Sequence, residues 1–294
     1  MNIIRNSCRK ITAAVLLVTA VCFTATASDL VQLLPRQTAT VIGVDFAALC
    51  NHRQGAVLFD RYFAALTDAP LERIAEACYG CDAAGKCRVA LIRFDLPETL
   101  TALTARLADK REQDKENPAY ILRTSPESRR FYRLYPLTAD TLGIYWKFPE
   151  NPPFEVDRRG VAVQLRRQVP VRSGVMLWAV GNPRSENQYL KQISAFDFVL
   201  ESGVDGRLLI HGKVVCRSAM GAGAVVLFLN TIAPGLLQNK YQIPADVTSA
   251  AVNALKIRRD GKYLFFSSSD VEPVIALLSF VVKDMIPDYR AVMN

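Results

Sequence analysis

From Ser218 to Leu237 the chain runs twenty residues without a charged side chain. Such a stretch suits either a helix that crosses a bilayer, which takes roughly 20 residues, or a helix buried in a protein core. Asn230, Pro234 and Gly235 dilute it, and it lies between a strand-like run, Arg207–Cys216, and a second helical stretch from Ala245. These neighbours favour a buried core helix. Gly221-Ala-Gly223 at its start hints at a dinucleotide fingerprint, but Val226 stands where the third glycine belongs. Asp246 is the only acidic residue at about the right distance downstream, so close helix packing through Ala219 and Gly223 is the better reading.

The chain alternates short β-branched runs with stretches of helical periodicity, which predicts an α+β fold. Expected strands are Thr40–Phe46, Arg88–Asp95, Ala119–Thr124, Arg130–Tyr135, Thr141–Phe148, Val161–Arg167, Gly174–Val180, Phe196–Glu201 and Arg207–Cys216. Ala254–Arg258 and Lys262–Ser268 flank Asp260-Gly261, a hairpin signal. Expected helices are Ala47–Leu66, Leu71–Cys78, Pro97–Lys110, Pro183–Ala195 (capped by Asn182), Ser218–Leu237, Ala245–Asn253 and Val271–Met285. Pro149, Pro152 and Pro153 interrupt the pattern and mark 151–160 as a linker between a first unit, 28–150, and a second, 161–294.

The two units echo each other. RVALIRFD-LPETLTALTARL (Arg88–Leu107) is similar to KYLFFSSSDVEPVIALLSFVV (Lys262–Val282), and the helical Gly55-Ala-Val-Leu-Phe to Gly223-Ala-Val-Val-Leu-Phe. The pattern predicts two tandem, duplicated units, each a mainly antiparallel sheet with helices on one face, in ferredoxin-like style.

The N-terminus carries an export signal. Arg5, Arg9 and Lys10 precede an apolar run from Ile11 to Phe23, and Ala25-Thr-Ala27 supplies the small residues before a cleavage site at Ser28. Residues 1–27 are therefore expected to be a signal peptide, and the protein periplasmic or extracellular. An uncleaved leader anchored in the inner membrane is the alternative, and on this reading the only membrane contact. Without the leader's three cations the formal net charge falls from +8 to +5. The arginine pairs Arg129-Arg130, Arg158-Arg159, Arg166-Arg167 and Arg258-Arg259 are scattered rather than clustered, which speaks against nucleic acid and for charged strand edges.

LLPRQTATVIGVDFAAL (Leu33–Leu49), GRLLIHGKVVC and ALKIRRDGKYLFFSSS resemble segments of uncharacterised exported bacterial proteins built from repeated α+β units. The resemblance implies a fold style and an envelope location, and it transfers no functional residue.

Cys78, Cys81 and Cys87, with Cys50 and His52 upstream, form the sharpest local feature. A redox CxxC needs its first thiol at a helix N-terminus, whereas Cys78 falls at the end of the expected Leu71–Cys78 helix. Asp82 follows the second cysteine where haem attachment needs histidine. Zinc held by Cys78, Cys81, Cys87 and Cys50 or His52 has the right ligand count in an unusual spacing. In an oxidising compartment the favoured reading is structural disulfides, Cys81 with Cys87 and Cys50 with Cys78, leaving Cys216 buried at a strand end.

Other constellations read as structural. His211-Gly212 is expected to mark a bulge or turn, Ser218 lacks a nucleophile elbow, and Asp95/Glu98 and Asp270/Glu272 sit where helix caps belong. No catalytic residue and no cofactor is expected. The sequence therefore points to a non-catalytic binding or assembly protein of the bacterial envelope, its partner another envelope protein or an anionic envelope polymer. The rival is a metal-dependent hydrolase or thiol-active protein using the Cys78/Cys81/Cys87 cluster.

Overall fold

The computed structural model describes residues 30–35, 37–62, 74–83, 87–106, 120–123, 131–145, 161–166, 174–184 and 188–285. The leader at 1–27, the linker at 151–160 and three of the arginine pairs lie wholly or partly outside them.

The α+β class holds. Among the described residues eleven strands form one sheet: β1 (Thr40–Asp45), β2 (Ile74–Cys81), β3 (Cys87–Phe94), β4 (Tyr120–Arg123), β5 (Phe131–Pro136), β6 (Thr141–Tyr145), β7 (Val175–Gly181), β8 (Ile193–Ser202), β9 (Leu208–Cys216), β10 (Lys256–Asp260) and β11 (Tyr263–Ser268). The order is β10-β11-β9-β8-β7-β1-β2-β3-β6-β5-β4, and every pairing is antiparallel. The strands of the two halves thus join edge to edge through β1 and β7, where Gly43 faces Trp178 in register. Each half opens with a three-strand meander, β1–β3 and β7–β9, placed on opposite sides of this seam. The echoed sequence segments are β3 with its following helix and β11 with its own, whereas the strand order sets β3 opposite β9.

The helices are α1 (Phe46–Asn51), α2 (Arg53–Tyr62), α3 (Pro97–Arg106), α4 (Val161–Arg166), α5 (Ala219–Leu227), α6 (Ala233–Tyr241), α7 (Ala245–Ala254) and α8 (Glu272–Met285). A π-helical turn, Phe228–Ile232, joins α5 to α6 in one long rod. Local chemistry sets several ends. The Ala48 N–H donates to Asp45 Oδ1 at 2.8 Å, and the Gly221 N–H to Ser218 Oγ at 2.9 Å, both filling N-cap positions. Pro97 occupies the first turn of α3, where its missing N–H costs nothing. Gly261, at φ 55°, takes the left-handed conformation that the tight β10–β11 turn needs.

Three expected elements differ. The stretch predicted as a Leu71–Cys78 helix is strand β2 from Ile74, because its apolar side chains pack between β1 and β3 on both faces of the sheet. Val161–Arg167, expected as a strand, forms helix α4 over its described part: Ala162 and Leu165, three apart, are buried against the sheet. Within Pro183–Ala195 the described residues hold a short 3₁₀ turn, Leu190–Gln192, followed directly by β8.

Side chains alternate between two faces. On one, Ala90, Ile92, Leu134 and Ile144 pack with α1, α2, α3 and α8. On the other, Val41, Cys78, Leu91, Trp178 and Val199 pack beneath the turn at 30–34 and α4. There the indole of Trp178 lies over Gly43, where any side chain would collide with it, and the Arg166 guanidinium caps the ring at 4.5 Å. A buried ion pair, Arg93 Nη1 to Glu76 Oε1 at 2.8 Å, belongs to the same half of the sheet. Toward β9–β11 this second face is polar. His211, Lys213 and Phe265 are half-buried, Arg258 is exposed, and no described helix packs over them. Arg258 and Arg259 lie on the edge strand β10, where charge discourages further pairing.

Candidate functional site: an apolar cavity

Between the first face of the sheet and its helices lies a cavity of about 450 Å³. Its floor is built by alternation, with Ile42 and Val44 on β1, Leu177 and Ala179 on β7, and Phe196, Phe198 and Leu200 on β8. Its roof comes from Phe46 and Leu49 of α1, Leu58 and Phe59 of α2, and Ile275 and Leu278 of α8. Phe46 and Phe59 meet edge to face, ring centroids 5.6 Å apart.

Of the lining residues only Tyr79, Cys87 and Asp197 carry a side-chain heteroatom. Asp197 contributes backbone, because it alternates with Phe196 and Phe198, and its carbonyl oxygen is what a side chain at Gly212 would strike. Its carboxyl belongs to the opposite face, across from Lys213, where burial lifts it above the ordinary carboxylate range against the pull of that lysine. The cavity therefore offers almost no hydrogen bonds to a guest. It excludes charged and strongly polar groups, whose desolvation nothing there would offset.

The roof is pinned from both halves of the chain. His52, between α1 and α2, accepts at Nδ1 from the Gly55 N–H at 3.1 Å. Its Nε2 lies 3.0 Å from the carbonyl oxygen of Gly206 in the β8–β9 turn, the geometry of a neutral imidazole protonated at Nε2. The Leu208 N–H donates to Gln54 Oε1 at 3.2 Å. Across the top, Glu272 at the start of α8 accepts from Tyr62 Oη at 3.0 Å and pairs with Arg61. Partial burial and this bond to Glu272 raise the Tyr62 phenol above its usual value.

The predicted cysteine cluster is only partly assembled. Cys81 and Cys87 face each other across the β2–β3 hairpin and are hydrogen-bonded, which holds the Cys81 thiol below its ordinary pKa and pushes Cys87 up. Cys87 lines the cavity, whereas Cys78 lies in the core of the other face, its thiol driven up by burial. Cys50 is exposed on α1. None of the five described cysteines is in a disulfide, so the expected Cys81–Cys87 and Cys50–Cys78 bridges are absent from this structure. Cys50 and Cys78 sit on different layers, and β2 as a strand sends its cysteines to opposite sides of the sheet. The proposed zinc ligands Cys78, Cys81, Cys87 and Cys50 are separated in the same way, and among the described residues no group of three or more His, Cys, Asp or Glu side chains is placed to hold a metal.

Several remaining candidates make contacts within the fold. His211 continues β9 in register between Val199 and Ser267 rather than marking a bulge, with Nδ1 3.7 Å from Glu201 Oε1. Ser218 caps α5, and Glu272 reaches α2. The cavity itself escaped the sequence, because its walls come from eight or more segments and its residues are those of any apolar core.

No family model matches the chain, and no curated protein matches it. Among solved structures it is similar to TP0453. Crystal form I of that protein aligns with TM-score 0.47 at 11% identity, covering 87% of this chain and 98% of that one. Crystal form III gives 0.44 at 10%, covering 85% and 97%.

Proposed function

We propose that this is an exported protein of the bacterial envelope, its residues 1–27 a signal peptide, that acts by binding an apolar molecule in the cavity rather than by catalysis. The observation that carries this reading is the size and lining of the cavity, about 450 Å³ bounded almost wholly by apolar side chains and open at its rim. Water inside it meets few polar partners, so an apolar guest that displaces this water gains the burial of its own surface.

Its chemistry follows from the walls. The guest is a hydrocarbon body, such as an acyl chain or fused rings, several times the bulk of the benzene that a cavity of about 150 Å³ accepts. Any polar head stays at the rim.

Protein purified without detergent is extracted with organic solvent and titrated with the uncharged fluorophore N-phenylnaphthylamine. The reading expects an extracted apolar compound or saturable one-to-one probe binding. Ala179→Phe, which fills the cavity from its floor, then weakens the probe by at least about tenfold while circular dichroism is unchanged. Absence of both ligand and probe binding, or equal binding by the folded variant, refutes the cavity as the site.

A further inference from the structure

The charge-free stretch that suggests a buried core helix is not buried. In the rod Ala219–Asn239 only 28% of the apolar stretch is fully buried, and much of the rest is half-buried or exposed. Gly221, Ala222, Val225, Phe228 and Ala233 form the packed stripe, part of it against Cys216 and Leu264 of the sheet. Away from that stripe Met220 is 84% exposed, Leu227 57% and Leu236 47%. Met220 and Leu227, two turns apart, lie on one face. Thr231, one turn beyond Leu227, donates its hydroxyl to the Leu227 carbonyl at 2.6 Å and so presents little unmet polarity.

Charge identifies what covers this face. No acidic residue occurs from Arg217 to Ala245. Cations border α5 instead. Arg217 at its start is held by Nε donating to the Lys191 carbonyl at 2.9 Å, and both side chains are exposed. From the edge strand, Arg259 lays its guanidinium along the helix, so that a Cβ at Gly223 would stand 3.0 Å from its Nη1. An apolar rod with a cationic border is the pattern of a helix lying in the plane of an anionic membrane surface. A second copy of this chain would bring like charges together along the same border.

We infer that Ala219–Asn239 docks this protein onto a bilayer containing anionic lipid. The helix lies in the interface and does not span it, because its inner stripe stays packed on the sheet. The inference stands on the exposed face of the rod and is independent of what fills the cavity.

The test is co-sedimentation of the exported protein with phosphatidylcholine vesicles, with and without one-third phosphatidylglycerol. All variants share one N-terminus, so any affinity contributed by the leader cancels. The wild type pellets with anionic vesicles, less with neutral ones, and less at high salt. The combined Met220→Asp, Leu227→Asp and Leu236→Asp variant loses at least about tenfold in partitioning, with an unchanged thermal melt. Arg217→Gln and Arg259→Gln each cost roughly fivefold on anionic vesicles and little on neutral ones. Val204→Asp, the same kind of change at an exposed valine in the β8–β9 turn, has no effect. Equal pelleting by the triple variant overturns the inference. So does a wild type that ignores vesicles, including one that dimerises in solution through Met220 and Leu227 instead.

Discussion

At the seam between the two halves, the same two strands present opposite solutions to one packing problem. On one face of β1 and β7 the indole of Trp178 lies on Gly43 and is capped by Arg166, and the space is filled. On the other face Ile42, Val44 and Ala179 look into about 450 Å³ that their side chains do not fill. Backbone and register are common to both faces, so the difference is side-chain volume and what the helices bring. The turn at 30–34 and α4 press Leu30, Leu34 and Leu165 onto the Trp178 face. On the cavity face, α1, α2 and α8 arch over the strands. Filled volume supplies stability, and unfilled volume held open by a pinned roof supplies a place to bind.

This contrast can be broken from the filled side first. Trp178→Ala is expected to cost about 3–5 kcal/mol in urea unfolding, because a large buried ring leaves a hole its neighbours cannot close. Ala179→Phe, one position along the strand and on the other face, is expected to leave the unfolding midpoint unchanged or higher. If both substitutions prove equally destabilising, the two faces do not differ as described.

The next effect concerns the roof. His52→Ala removes the contacts to Gly55 and to Gly206, and is expected to cost about 1–2 kcal/mol. Hydrogen exchange should rise in α1 and α2 before β7, since the imidazole ties these helices to the β8–β9 turn.

Cysteine chemistry gives a sharper but energetically smaller comparison. In the folded protein iodoacetamide is expected to modify Cys50 rapidly and to leave Cys78, Cys81, Cys87 and Cys216 for the denatured state, as mass spectrometry of the peptides would record. Rapid labelling of Cys87 would mean that the cavity opens readily to polar solutes.

The smallest effect lies on the polar part of the second face. Burial raises the Asp197 carboxyl, so its contribution to stability is present below the unfolded value near 3.9 and is lost as pH rises through the higher folded value. At neutral pH the ionised group therefore costs stability. Asp197→Asn is expected to stabilise by a few tenths of a kcal/mol at pH 7, screened as a half-exposed group is, and by nothing at pH 3.

Much of the fold was legible because it rests on local rules. The β-branched run of β1, the Asp260-Gly261 turn, the Ser218 cap and the helix after Pro97 all follow from residues within a few positions of one another. Errors came where a short apolar run suits either element. Leu71–Cys78 carries helical spacing, yet pairing with β1 and β3 made its described part a strand. Val161–Arg166 alternates like a strand, yet only one side of it meets the core.

By itself the sequence determined the α+β class, most strand positions, the charged edge strand and the presence of one long apolar helix. Tertiary structure alone decided that the two halves share a sheet, that the cysteines fall on different faces, and that the apolar helix leaves Met220, Leu227 and Leu236 exposed. It alone decided, too, that a space remains beside Ala179. Local propensity acts over neighbours in the chain, whereas burial and empty volume depend on residues brought together from more than a hundred positions apart, such as Tyr62 and Glu272.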